Sequence, residues 1–312
     1  MAIYMWREYV PKELCFTANT AGSTVQLSKN WSPATVTLET STDWVNWSTY
    51  TTWSTITLSN IWDKVYWRNT STTDVQFDTD EWNYYKFVMS WSIAWSWDIT
   101  SLINKNLTNY SWYMCYLFNW CTSLTSTPQL PATSLYSTWC YKSMFEWCTS
   151  LIATPELPAT TLANECYYNM FKNCTSLTDV QPLQATTMTT WCYANMFNGC
   201  TSLVNAPELK ATTLNTACYQ MMFQNCTSLQ SIPKLIATSI SIQAYFRMFN
   251  WCSKIKMSSN QTWAYQTVYR IPTTWTWTAW SSALSNMFQN TWWTFTWTPS
   301  VNTTYYTSNT VV

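Results

Sequence analysis

The chain has 312 residues, with 15 basic and 15 acidic side chains and no histidine. The charges cancel and no Lys/Arg cluster exists, so the electrostatic footprint of a nucleic-acid binder is missing. The lack of histidine excludes Ser-His-Asp and Cys-His catalysis and histidine metal sites.

Residues 1–14, "MAIYMWREYVPKEL", form an N-terminal segment with charges at Arg7, Glu8, Lys12 and Glu13. It lacks the apolar stretch of a standard secretion signal. Residues 15–98 predict an all-β domain of sandwich type. "STVQLS" (23–28), "ATVTLET" (34–40), "STITLSN" (54–60), "KVYWRN" (64–69) and "YKFVMS" (85–90) alternate apolar and polar residues between turn signals. The stretch "SWSIAWSWD" (90–98) reads as a hinge, with no phosphate-binding lysine after it. "DTDE" (78–81) offers carboxylates at Asp78, Asp80 and Glu81. The twelve-residue calcium loop with its late glutamate is missing, and a solvated turn is the expectation.

From 99 to 262 the chain repeats. Cys121, Cys148, Cys174, Cys200, Cys226 and Cys252 recur at 26 or 27 residues, and Cys140, Cys166, Cys192 and Cys218 lie eight residues before their partners. A fixed period of this size predicts a solenoid of stacked units. In "CTSLIATPELPATTLANECYYNMFKN" (148–173) the expectation is a short strand followed by two turns of helix over 163–171. Cys166, Met170 and Cys174 would then share one inward helical face. The fold class expected is thus an α/β repeat solenoid, leucine-rich-repeat-like, behind an N-terminal β-sandwich. Residues 263–312 read as a C-terminal cap and tail, with "SNMFQNT" (285–291) as a last echo of the repeat.

One position contradicts ordinary residue chemistry. The slot before each CTSL-type cysteine holds Trp120, Trp147, Asn173, Gly199, Asn225 and Trp251. As the first residue past a helix it favours glycine or asparagine in the left-handed conformation. The whole chain has 2 glycines and 24 tryptophans, many in turn-like contexts such as "STDWVNW" (41–47) and "SNIWDK" (59–64). The reading is that most of these tryptophans stand for glycine, encoded by UGA. Trp47, Trp67 and Trp280 suit tryptophan by context. Moving the others to glycine brings that residue to about 7% of the chain, the usual share.

The phrase Met-Phe-x-x-Cys-x-x-Leu followed by a short strand, as in "MFEWCTSLIATPEL" (144–157), resembles the repeats of BspA-like leucine-rich-repeat surface proteins. The resemblance covers about half of the chain. The family's phrase usually has alanine where Met144, Met170 and Met196 stand, and frequently glycine where Trp147 stands. It implies a surface-displayed adhesion or interaction protein, on a cell or on a virion.

The cysteine spacing is wrong for zinc, which favours short Cys-x2–4-Cys pairs. Buried free thiols in a small apolar slot are expected, with disulfides between repeats as the alternative. Tyr141, Tyr167, Tyr193 and Tyr219 recur and read as packing between units, or else as sugar platforms. Two columns vary between otherwise similar units. Gln129, Glu156, Glu208 and Lys234 form one; Asp179 and Asn205 belong to the other. These six are the candidate partner contacts, because a repeat array presents its strand segments as an extended surface. No catalytic, cofactor or metal residue emerges. The function expected is non-enzymatic binding of a protein or glycan partner at a cell surface or virion, without a transmembrane segment. A carbohydrate-binding protein using aromatic platforms is the alternative if the tryptophans are genuine.

Overall fold

The computed structural model describes residues 13–30, 36–70, 77, 83–96, 99–102, 114–271, 282–293 and 298–312. Asp78, Asp80, Glu81 and Trp280 lie outside them.

Eight strands build the N-terminal part: β1 (Leu14–Ala18), β2 (Ser23–Lys29), β3 (Leu38–Ser41), β4 (Ser48–Thr49), β5 (Thr55–Leu58), β6 (Lys64–Asn69), β7 (Tyr85–Ser90) and β8 (Ile93–Ser96). They form two antiparallel sheets, ordered β4-β3-β6-β1-β8 and β5-β2-β7. Period-two alternation sends Val25 and Leu27 of β2, and Tyr85, Phe87 and Met89 of β7, to one buried face. The sheets close face to face on aromatic rings set edge to face. Phe16 lies 4.9 Å from Phe87, and Trp67 lies 5.1 Å from it. The sandwich expected for this region is present. β1, β4 and β8 are strands that the alternation pattern does not reveal.

The helix expected in each repeat is absent, and the α/β solenoid is overturned. Among the described residues the one helical element is a 3-10 turn at Ile99–Leu102. Over 163–174 the chain runs instead as a series of tight turns. Tyr168, Met170, Lys172 and Cys174 donate their N–H to the carbonyl three residues back. The N–H groups between them leave the unit altogether. Those of Glu165, Tyr167, Asn169, Phe171 and Asn173 bond to the carbonyls of Thr190, Cys192, Ala194, Met196 and Asn198 in the next unit. An α-helix needs all its N–H groups for its own carbonyls four residues back. Here alternate ones are committed between units, as in a parallel β-ladder.

Pitch gives the second reason. Phe145, Phe171, Phe197, Phe223 and Phe249 stack at 5.5–5.8 Å between ring centroids. Tyr167, Tyr193, Tyr219 and Tyr245 stack at 5.5–6.0 Å. These rises are near the roughly 5 Å spacing of neighbouring strands, whereas a helix with its side chains is about 10 Å wide. Units stacked this closely have no room for one. The tyrosines are therefore buried packing between units, which removes them as sugar platforms.

Turning the chain this way requires left-handed residues at regular intervals. Glu165, Asn169 and Asn173 have φ of 55°, 57° and 61°, and the next unit repeats the pattern at Trp191, Asn195 and Gly199. The slot before the cysteine is left-handed in every unit, as expected, but it ends a series of turns rather than a helix. A bulky residue held there costs about 1–2 kcal/mol.

The cysteines act as polar links. Cys148, Cys174, Cys200 and Cys226 each donate a thiol hydrogen bond of 3.0–3.1 Å to the carbonyl of Phe118, Phe145, Phe171 and Phe197 in the preceding unit. All twelve cysteines are free and buried. Burial pushes the thiol of Cys121 up to about 12 and that of Cys192 to about 11.

The ladder is continuous with the sandwich. Phe87 of β7 stacks on Phe118 at 5.3 Å, its N–H bonds to the Leu117 carbonyl, and its own carbonyl accepts from Cys121. At the far end the turns of 282–290 form the last step, with Phe288 stacked 5.2 Å from Phe249. Beside it β10 (Lys256–Ser258), β11 (Thr267–Arg270), β12 (Trp292–Trp293) and β13 (Thr304–Thr307) make a small mixed sheet ordered β11-β13-β10-β12. Tyr269 of β11 sets its ring edge-on against Phe288. The last strand, β14 (Thr310–Val311), adds in parallel to β9 (Ser231–Ile232).

Candidate functional site

Opposite the turn series, each unit runs as an extended segment. Short parallel bridges join these segments: Ala153 to Asp179, Leu157 to Leu183, Asn205 to Ser231. Along four of the segments Pro and Leu turn inward while the residue between them faces out; in the third, Gln181 takes the place of the inward proline and Pro182 is the exposed residue. Thus Pro128 and Leu130 are buried and Gln129 is exposed; Pro155 and Leu157 are buried and Glu156 is exposed. The same holds for Glu208 between Pro207 and Leu209, and for Lys234 between Pro233 and Leu235. The proline ring fixes φ and supplies no N–H, so it keeps the segment extended without a donor left over.

Between the first segments the surface is concave. A groove of about 560 Å³ is lined by Thr127, Pro128, Gln129, Pro131, Pro155, Glu156, Pro158 and Gln181 among others. A second, of about 510 Å³, continues along Glu156, Pro158, Thr160, Gln181, Pro182 and Gln184. Glu156 borders both. The Thr154 hydroxyl fixes the floor by accepting the Gln181 N–H at 2.9 Å.

The structure brings only some of the six candidates together. Gln129 and Glu156 share the larger groove. Asp179 and Asn205 are exposed at bridge positions on the neighbouring segments. They stand three residues before the outward-facing column. Glu208 is exposed in the fourth segment, and lines neither of these grooves. Lys234 lines a separate hollow of about 320 Å³ with Leu235, Val268, Arg270 and Val311. Gln181, Gln184 and the outer prolines Pro131 and Pro158 are groove residues that column comparison missed. Their signal was the Pro-x-Leu-Pro phrase at 128–131 and 155–158, which the third unit replaces with Gln-Pro-Leu-Gln.

Charge changes sign along the face. Glu156, Asp179 and Glu208 are followed by Lys210, which donates to the Gln184 side chain at 3.0 Å, and then by Lys234. Among the described residues no group of three or more His, Cys, Asp or Glu is placed to hold a metal ion. No helix there is long and apolar enough to cross a membrane. No family profile, curated protein or solved structure matches this chain.

Proposed function

We propose that the protein is a non-enzymatic interaction or adhesion protein, which uses the groove face at 126–184 to hold a protein or glycan partner at a cell surface or virion. The observation that carries this reading is the groove itself. Buried proline and leucine hold Gln129 and Glu156 outward at the wall of a preformed, open trough. A preformed surface of this kind lowers the ordering cost of binding. The phrase shared with BspA-like surface proteins points the same way. The thiols support a non-catalytic role: burial raises the pKa of the Cys121, Cys148, Cys174, Cys200, Cys226 and Cys252 side chains, so they remain protonated and inaccessible rather than nucleophilic.

The test is binding of the labelled protein to intact cells, to purified virions and to a glycan array, comparing the parent with Glu156→Lys and with Gln129→Ala/Gln181→Ala. Binding that drops at least tenfold in these variants, at unchanged melting temperature, supports the reading. Binding of full strength in both variants overturns the placement at this face. A second reading, sugar stacking on exposed indoles, rests on Trp120, which is 55% exposed and stacks 4.7 Å from Trp147. Trp120→Ala separates it, because this residue lies outside the groove.

A further inference from the structure

The described tryptophans divide by backbone conformation. Trp67 behaves as tryptophan does: it is fully buried in β6 and packs on Phe16, Tyr50 and Phe87. Trp47 lies under the Arg68 guanidinium, 3.9 Å from its ring centre. Neither has positive φ. Nine others do, at values from 58° to 75°, and none of the nine is buried.

Three turns of the sandwich share one construction. In Thr20–Ser23, Thr51–Ser54 and Asn60–Asp63 the fourth N–H bonds to the first carbonyl, at 3.3, 2.9 and 3.2 Å. The third residue is Gly22 at φ 80°, Trp53 at 75° and Trp62 at 73°. A turn with positive φ at its third position selects glycine there, because a Cβ meets the following carbonyl. In the repeats the slot before the cysteine reads Trp120 (64°), Trp147 (64°), Asn173 (61°), Gly199 (79°), Asn225 (62°) and Trp251 (64°). Two unrelated parts of the fold thus place tryptophan and glycine interchangeably at one backbone conformation. At five of the nine, indole burial offers little in return: Trp53, Trp62, Trp91, Trp120 and Trp251 are all more than half exposed.

We infer that these nine left-handed tryptophans are glycines in the protein as its own cell makes it, with the codon UGA read there as glycine. UGA differs from a glycine codon only in its first base and from the tryptophan codon only in its last. The inference covers fewer positions than composition alone suggests: Trp263 and Trp292 do not have positive φ, Trp95 and Trp293 lie in strands, and the remaining tryptophans lie outside the described residues. It is independent of the proposed binding face, where no candidate is a tryptophan. It does bear on sugar stacking, because glycine at 120, 147 and 251 removes the exposed indoles of the repeats, Trp120 and Trp251 among them.

Peptide mass spectrometry of the protein from its source cells decides the matter. Glycine at positions 53, 62, 120 and 147, each lighter by a whole indole side chain, with tryptophan retained at 67, is the expected result. Tryptophan at those four positions overturns the inference. A second measurement compares the chain as written with one carrying Trp→Gly at all nine sites. The substituted chain should have the higher melting temperature, while Trp67→Gly lowers it; a lower melting temperature for the nine-site chain also overturns the inference.

Discussion

The sandwich and the repeat ladder bury aromatic rings in opposite ways. In the sandwich, Phe16, Trp67 and Phe87 come from three strands distant in sequence and meet edge to face, at 64° to 84°. In the ladder, one phenylalanine per unit lies nearly parallel to its copies, within 12° from Phe118 through Phe249. The first core is held by mutual fit among different residues, the second by each unit's contact with its two neighbours. Damage should therefore remain local in the ladder and spread through the sandwich.

The sharpest way to break this contrast is at Phe171 and Phe87. Phe171→Ala should remove about 3–5 kcal/mol and lower the unfolding transition of the ladder, leaving the sandwich to melt later. Phe87→Ala, at the junction, should lower both, and calorimetry distinguishes the two patterns.

Alkali should separate the regions next. An unfolded thiol ionises near 9.0, while that of Cys121 is raised to about 12 by burial. Below pH 9 both states hold the proton; above it the unfolded chain releases what the folded chain must keep. Stability is therefore full below pH 9 and falls as pH rises toward the folded value. The ladder has a whole column of such thiols as well as the buried Tyr167, Tyr193, Tyr219 and Tyr245. The sandwich has the single thiol Cys15, with Tyr50 and Tyr66 also raised by burial. Melting temperatures measured from pH 7 to 10.5 should fall faster for the ladder.

Smaller effects refine the picture. Cys200→Ala removes the thiol donor to Phe171 and should cost about 1 kcal/mol, read from denaturant midpoints. Gly22→Ala should cost about 1 kcal/mol as well. A Cβ at Gly22 meets nothing within 4 Å, so its φ of 80° is the whole of the strain. Glu156→Gln, exposed at the groove wall, should change stability by less than about 0.5 kcal/mol, which keeps it usable as a binding probe.

Much of this was legible in the residues, and the failure is instructive. Strands β2, β5, β6 and β7 announce themselves because each has one face buried and one face wet. β1 does not, because it lies between β6 and β8 with Leu14, Cys15, Phe16 and Ala18 all buried, so no alternation exists to read. The period of the repeats was plain from the cysteines. Their helix was misread because Cys166, Met170 and Cys174, four apart, point inward in a helix and equally in a coil of four-residue turns. Side-chain spacing does not separate the two. The demand for left-handed residues at 165, 169 and 173 does, but Glu165 gives no sign of it. Of the candidate face, the exposed column was readable from its variation between units. The groove depends on how neighbouring segments lie side by side, and one unit's sequence does not contain that.

The stacking at Phe87 and Phe288 has a further consequence. A parallel ladder of hydrogen bonds is open-ended, since each step offers the next what it received from the last. β7 closes one terminus and Tyr269 with its small sheet closes the other, so lengthening by duplication of a unit leaves both closures intact. Loss of either would uncover a templating surface for further copies, and growth into fibres would follow.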